Sequence, residues 1–288
     1  MGVTVYYTNS NGDSFEFSDN SKVYITSIDG ISANDVSLTE ATVNNQVGAS
    51  VTGRSIQTKD ITLEGQYQYN PNIRKRLLAV ILPNLSGTLR LVNTKEDVDV
   101  YWNVYPTKTP ELGTDVTWQD FQITLRAPYP YARSTNTNIT DFNTLSALHK
   151  FKRSYSSTTA FKLSSRNYQP LRTIVNNGSL TSGFIMKMVA ETNGVTAPKI
   201  TNVNTQANIS FPKLTLNEND TIEVSTYENE KYCHLIKDGV TSNIFKDMDY
   251  ASTFFQLDAG TNVLRYSATA NEEYLDVRVS FDDTVAGV

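Results

Sequence analysis

Asp60-Ile61-Thr62-Leu63-Glu64-Gly65-Gln66-Tyr67 alternates apolar and polar side chains, the two-residue period of a half-buried strand, with Ile61, Leu63 and Tyr67 on one side. Just beyond it the period changes. Ile73, Leu77 and Ile81 recur every four residues, flanked by Leu78 and Leu82, which is an apolar stripe at helical spacing. Asn70 suits the cap and Pro71 the first helical position, and Pro83 stops the run, so a helix is predicted over about 71–82. Arg74, Lys75 and Arg76 crowd its early turns, where they oppose the helix dipole; they form either a solvated face or a contact with an acidic neighbour. The two-residue period then returns. Leu89 and Leu91 alternate with polar residues, and Val98, Val100, Trp102 and Val104 form one face with Asp97 and Asp99 on the other. Phe121, Ile123 and Leu125 oppose Trp118, Asp120 and Gln122. Ala127-Pro128-Tyr129-Pro130-Tyr131 ends the run, because proline gives no hydrogen bond to a ladder. Upstream, Lys22-Val23-Tyr24-Ile25-Thr26 reads as a short strand closing near Asp29-Gly30. The first domain therefore spans 1–133, with one helix among strands.

Composition supports the same class. A chain of 288 residues predicts about two domains. Aromatics reach 10% and charged residues only 19%, which argues against disorder. The 16 Tyr, 12 Phe and abundant Thr favour strands, and the Asn and Ser favour turns, so the chain reads as mainly β. No run of 18 apolar residues is present, so no membrane insertion by a helix is expected. The start, Met1-Gly2-Val3-Thr4-Val5-Tyr6-Tyr7, lacks the basic and apolar regions of a secretory signal, and Tyr6 breaks the myristoylation pattern. Cys233 is the only cysteine, so no internal disulfide forms, consistent with a reducing compartment. A net charge of −5 argues against sequence-independent nucleic-acid binding.

Three further stretches complete the layout. Residues 31–59 are polar, dotted with Asn and Gly and weakly alternating, which reads as a long extended arm or hairpin. Residues 134–170 are rich in Ser, Thr and Asn, with a basic patch at His149-Lys150-Phe151-Lys152-Arg153, and read as a linker with the first strands of the next domain. From 171 to 288 short strands recur: Arg172 to Val175, Phe184 to Val189, Ile209 to Phe211, Thr221 to Ser225, Tyr232 to Ile236 and Leu275 to Phe281. Asn177-Gly178, Asp238-Gly239 and Ala259-Gly260 read as tight turns between them. Such spacing predicts a sandwich.

No chemistry emerges from these residues, and no cofactor or metal site is predicted. Gly48-Ala49-Ser50-Val51-Thr52-Gly53-Arg54-Ser55 matches a phosphate-binding loop except for Arg54, but it lacks the buried strand before it and the helix after it. His149 and His234 are the only histidines, and adjacent Cys233 and His234 on a strand point to opposite faces. Glu272-Glu273 and Asp282-Asp283 diverge for the same reason. Asn138-Ile139-Thr140 and Asn208-Ile209-Ser210 are glycosylation sequons of the kind chance supplies in so Asn- and Thr-rich a chain. Tyr227, Tyr232, Tyr250, Phe254 and Phe255 offer either sugar-stacking faces or core packing. A carbohydrate-binding module is the alternative reading, though both tryptophans, Trp102 and Trp118, lie in the first domain.

The order of the pieces resembles the distal tail proteins (Dit) of long-tailed phages of Gram-positive bacteria. In the first half the resemblance rests on Lys59-Asp60-Ile61-Thr62-Leu63-Glu64-Gly65, the helix from Asn72 to Leu77, Gly87-Thr88-Leu89-Arg90-Leu91, and Phe121 to Leu125 with its Pro-Tyr ending. In the second it rests on Asn219-Asp220-Thr221-Ile222-Glu223-Val224, Tyr232 to Gly239, Ser252 to Gly260 and Asn262-Val263-Leu264-Arg265-Tyr266. The resemblance implies a non-enzymatic virion protein of the tail tip, assembled in the host cytoplasm. It implies a β-sandwich-like ring-forming first domain with one helix and an arm over about 31–59, and a galectin-like sandwich after it. It implies a homo-hexameric ring joining the tail tube protein to a tail-associated lysin or tail fibre protein and to receptor-binding proteins. A closed ring needs unlike patches to meet; Val47, Val51, Arg54, Arg74 and Arg76 are the candidate ring-interface residues. An acidic ring also does not hold DNA passing through it.

Overall fold

The structure is a computed structural model that describes residues 3–42, 44, 47–148 and 164–288. The chain divides into two units, Met1–Asn136 with Thr284–Val288, and Thr137–Asp283.

In the first unit the strands are β1 (Val3–Asn9), β2 (Ser14–Phe17), β3 (Val23–Asp29), β4 (Val36–Ala41), β5 (Ser50–Ile56) and β6 (Lys59–Gln68), followed by the helix α1 (Pro71–Val80), β7 (Gly87–Asn93), β8 (Val98–Pro106), β9 (Glu111–Leu112), β10 (Trp118–Ala127) and the start of β11 (Ala132–Asp141). One sheet runs β2-β1-β7-β8-β11; the other joins β3, β6 and β10, with β9 and the end of β8 also on β10. Every pairing is antiparallel. The alternation described above is the packing: Val5, Tyr7, Leu89, Leu91, Trp102 and Val104 meet Val23, Ile61, Leu63, Tyr67, Phe121, Ile123 and Leu125 in one core. Gly65 is required here, because a Cβ on it would lie 2.1 Å from the Tyr24 carbonyl oxygen and 2.6 Å from the Phe121 ring.

The helix starts where expected, with the Asn70 side chain accepting a 2.9 Å hydrogen bond from the Asn72 amide. It stops at Val80, two residues short of the expected end, because Ile81 turns extended to follow Leu77 and Val80 into the core. Leu78 faces solvent. β1 and β2 are additional to the strands expected from the sequence; Val5, Tyr7, Phe15 and Phe17 alternate there and all are buried.

The second unit continues with β12 (Thr144–Ala147), β13 (Ser164–Asn167), β14 (Leu171–Asn176), β15 (Ile185–Ala190), β16 (Val195–Thr196), β17 (Lys199–Asn202), β18 (Asn208–Ser210), β19 (Thr215–Leu216), β20 (Thr221–Ser225), β21 (Tyr232–Lys237), β22 (Val240–Asn243), β23 (Gly260–Ser267) and β24 (Leu275–Val285). One sheet holds β24-β15-β20-β21-β22 and the other β14-β23-β17-β18. Met186, Met188, Ile222, Val224, Val277 and Val279 of the first meet Ile174, Ile200, Ile209, Leu264 and Tyr266 of the second in one core. Asp238 and Gly239, with φ of 50° and 77°, form the two-residue turn joining β21 to β22. Asn177-Gly178 is not a hairpin turn, since β14 and β15 lie in different sheets; the Asn176 side chain caps the Gly178 amide instead. Ala259-Gly260 opens β23 rather than joining paired neighbours.

Two boundaries differ from the sequence reading. The sequence division assigned all of 171–288 to the second domain, but Thr284–Val288 falls in the first unit, where Val285 and Val288 pack against its core. The sequence reading places a linker and first strands in 134–170, and the second unit already begins at Thr137: Phe142 is buried in its core, and the Asn143 side chain bonds the Leu275 carbonyl and the Tyr266 hydroxyl. The basic patch from His149 to Arg153 lies outside the described residues.

Candidate functional site

Within residues 31–59, β4 and β5 pair as a hairpin whose thirteen strand residues are all exposed except Gly53. Its register is Val36 opposite Ile56, Leu38 opposite Arg54, Thr39 opposite Gly53 and Glu40 opposite Val51. Thr52 is left over as a bulge. Paired residues share a face, so the bulge returns Val51 to the face already holding Val36, Leu38 and Ile56. These four side chains are 44–58% exposed, with Arg54 and Glu40 among them. The opposite face is Ser37, Thr39, Gly53 and Ser55. The hairpin is therefore two-faced, with neither face buried among the described residues, and a lone two-stranded hairpin is marginal in water.

Its root, by contrast, is fastened. Gly30 has a φ of +86° and sits so close to β6 that a Cβ would lie 2.1 Å from the Asp60 carbonyl oxygen. The Gln57 amide bonds the Asp35 carbonyl at 2.9 Å. Lys59 is buried and donates to the Ile31 carbonyl at 3.1 Å; burial holds its pKa below the ordinary lysine value, partly offset by the charge of Asp35. Beside it Asp60 and Arg126 form a two-pronged ion pair at 2.7 and 2.8 Å, and the Arg126 hydrogen bond holds the Asp60 carboxyl below the usual range. The chain end also reaches here, with the Asn34 side chain donating to the Ala286 carbonyl.

The five candidate interface residues fall on two elements. Val51 and Arg54 share the apolar face of the hairpin, and Val47, fully exposed, lies in the loop at its tip. Arg74 and Arg76 sit on α1 and are engaged within the unit. Arg74 donates to the Gly113 carbonyl and to Gln119, and Arg76 to the Ser14 carbonyl while lying 5.6 Å over the Phe15 ring. Sequence reasoning missed Val36, Leu38 and Ile56. Val36 and Leu38 carried a period-two signal, but the bulge at Thr52 breaks it on the second strand.

The other sequence leads resolve into structure. Residues 50–55 of the phosphate-loop look-alike lie in β5, with no helix following to present amides to a phosphate. Cys233 is buried, which pushes its thiol up to about 11, while His234 on the other face stacks 4.5 Å from Tyr232. Among the described residues no cluster of metal-binding side chains occurs. Glu272 accepts from Tyr168, while Asp282 and Asp283 accept from Thr137 and the Asn177 amide. Of the aromatics considered for sugar stacking, Tyr227 and Phe255 are buried and Tyr250 is fully exposed. On the outer face of β15, β20 and β21, Lys187 pairs with Glu223 at 2.7 Å and Tyr232 donates to Glu223 at 2.7 Å, so these polar groups are spent on one another. Among the described residues no helix is long and apolar enough to cross a membrane.

Residues 177–284 match the family described as siphovirus-type tail component, C-terminal domain. No curated protein sequence matches the chain. Among solved structures it is similar to the Dit (gp 19.1) protein of phage SPP1, described as a paradigm of the hub adsorption apparatus in phages infecting Gram-positive bacteria. That match has a TM-score of 0.65 at 9% identity and covers 97% of this chain and 98% of that one. It is also similar to a chain of the phage P2 baseplate in its activated conformation with calcium, at a TM-score of 0.53, 13% identity and the same coverage. With its second unit matched to that tail-component family and its full length superposing on SPP1 Dit, this chain has the fold of a siphophage distal tail protein.

Proposed function

We propose that this protein is a structural hub of a siphophage or prophage tail tip. Six copies close a ring that joins the tail tube protein to a tail-associated lysin or tail fibre protein and to receptor-binding proteins. The role is non-catalytic and belongs to the virion. The observation that carries the reading is the hairpin of β4 and β5: a fastened root, an apolar face and no partner within the unit. A side chain such as Leu38 contributes roughly 1–2 kcal/mol when it leaves water, so four on one face favour a second surface. A hairpin that docks on the next copy is a head-to-tail contact, which closes into a ring when its rotation permits. The likeness over the full length to a phage hub protein and a baseplate chain supports the same reading. Negative-stain imaging of the purified chain, alone and mixed with tail partners, tests it: six-fold rings are expected, and monomers throughout would refute it.

A further inference from the structure

The first unit is discontinuous in sequence. It holds Met1–Asn136 and Thr284–Val288, and Thr137–Asp283 form the second unit between them. The second unit begins and ends side by side: the Thr137 hydroxyl donates to Asp282 at 2.7 Å, and Arg278 grips Asp141 through two hydrogen bonds of 2.6 and 3.1 Å. Neighbouring ends are what allow one domain to be inserted within another.

The returning segment runs to the root of the hairpin. Thr284 is buried, and Val285 and Val288 pack against the first core. Between those two valines the backbone lies against residues 32–34, which lead into β4. The Asn34 side chain donates to the Ala286 carbonyl, and a Cβ on Gly287 would lie 2.6 Å from the Ser32 carbonyl oxygen. Apolar anchors on either side therefore hold Ala286 and Gly287 against the stem of β4.

We propose that residues 284–288 are a clasp on the hairpin root, and that the insertion of the second unit makes its closure the last step in setting the hairpin. These residues leave the ribosome after residues 1–283, so β4 and β5 can pair earlier but their root closes only once the second unit has been made. A two-stranded hairpin is marginal in water, so its order depends on how its root is held. The clasp works within one chain and needs no second copy.

Hydrogen exchange on the full chain tests this, read at the amides of β4 and β5 and, as a control, at those of β6 and β10. Asn34→Ala removes the side-chain bond to Ala286, and Gly287→Ala forces the segment off Ser32. Neither side chain belongs to the first core. Each variant is expected to speed exchange in the hairpin by roughly tenfold and to leave β6 and β10 unchanged. A chain stopped after Asp283 stands for the incomplete state and is expected to lose hairpin protection at least as far. It also loses Val285 and Val288 from the core, so the two point variants decide the matter. Hairpin exchange equal to the parent's in both of them overturns the clasp. So does exchange that rises equally in β6 and β10, or a parent hairpin that is already unprotected.

Discussion

Two strand pairs of the first unit have similar side chains and opposite surroundings. β6 and β10 pair over ten residues, and Ile61, Leu63, Tyr67, Phe121, Ile123 and Leu125 all point into the core. β4 and β5 carry Val, Leu and Ile at comparable spacing and bury none of them. The first pair is held by what lies beneath it within the chain. The second is held only at its root, by Gly30, Lys59 and the contact between Gln57 and Asp35, which leaves its apolar face for another surface. A pattern that in β6 and β10 marks the core here lies on an exposed face.

The sharpest way to break this contrast is to truncate one leucine in each pair. Leu63→Ala is expected to cost about 2–5 kcal/mol in urea unfolding, because the cavity cannot collapse against Phe121 and Trp102. Leu38→Ala is expected to stay within roughly 0.5 kcal/mol in the dissociated chain. Next in size is an alkaline effect confined to the core side of the comparison. Tyr7 is fully buried, which pushes its pKa up to about 12. Between pH 10 and 12 the unfolded chain sheds a phenol proton that the folded chain keeps. Stability is therefore full below pH 10 and falls as pH rises toward 12, by about 2–3 kcal/mol. Tyr7→Phe is expected to remove that slope, and the difference between the two proteins in pH-dependent thermal unfolding isolates it. A smaller effect concerns the helix lying over the same core: Asn70→Ala is expected to cost about 1 kcal/mol by freeing the Asn72 amide. Smallest is Thr52→Val on the hairpin bulge, expected to leave thermal unfolding of the monomer within about 0.5 kcal/mol.

The contrast also explains what could be read in advance. Ile61, Leu63, Val100, Trp102 and Phe121 announced their strands because one face of each is covered, and only a covered face enforces alternation. Asn70 and Pro71 announced the helix through its cap. β1 and β2 are legible in principle, since Val5, Tyr7, Phe15 and Phe17 alternate, but each is short and the two are split by a polar turn at Asn11-Gly12. The hairpin face was not legible. Val51 and Ile56 are five apart, and only the bulge at Thr52 reconciles that spacing with one face. Nor could the sequence show Arg74 and Arg76 turning toward Gly113, Gln119 and Ser14, since those partners are 39 to 62 residues away. The return of Thr284–Val288 to the first unit is likewise a long-range contact with no local signature.

Because the Gln57 amide already meets the Asp35 carbonyl, residues 36–56 can be replaced by a short Gly-Ser turn without disturbing the core beneath β6. Native mass spectrometry of the intact and shortened chains bears most directly on the hairpin as the element that joins copies. The expected result is a six-copy assembly for the intact protein and a folded monomer for the shortened one. A shortened protein that still assembles into the same six-copy species would contradict it.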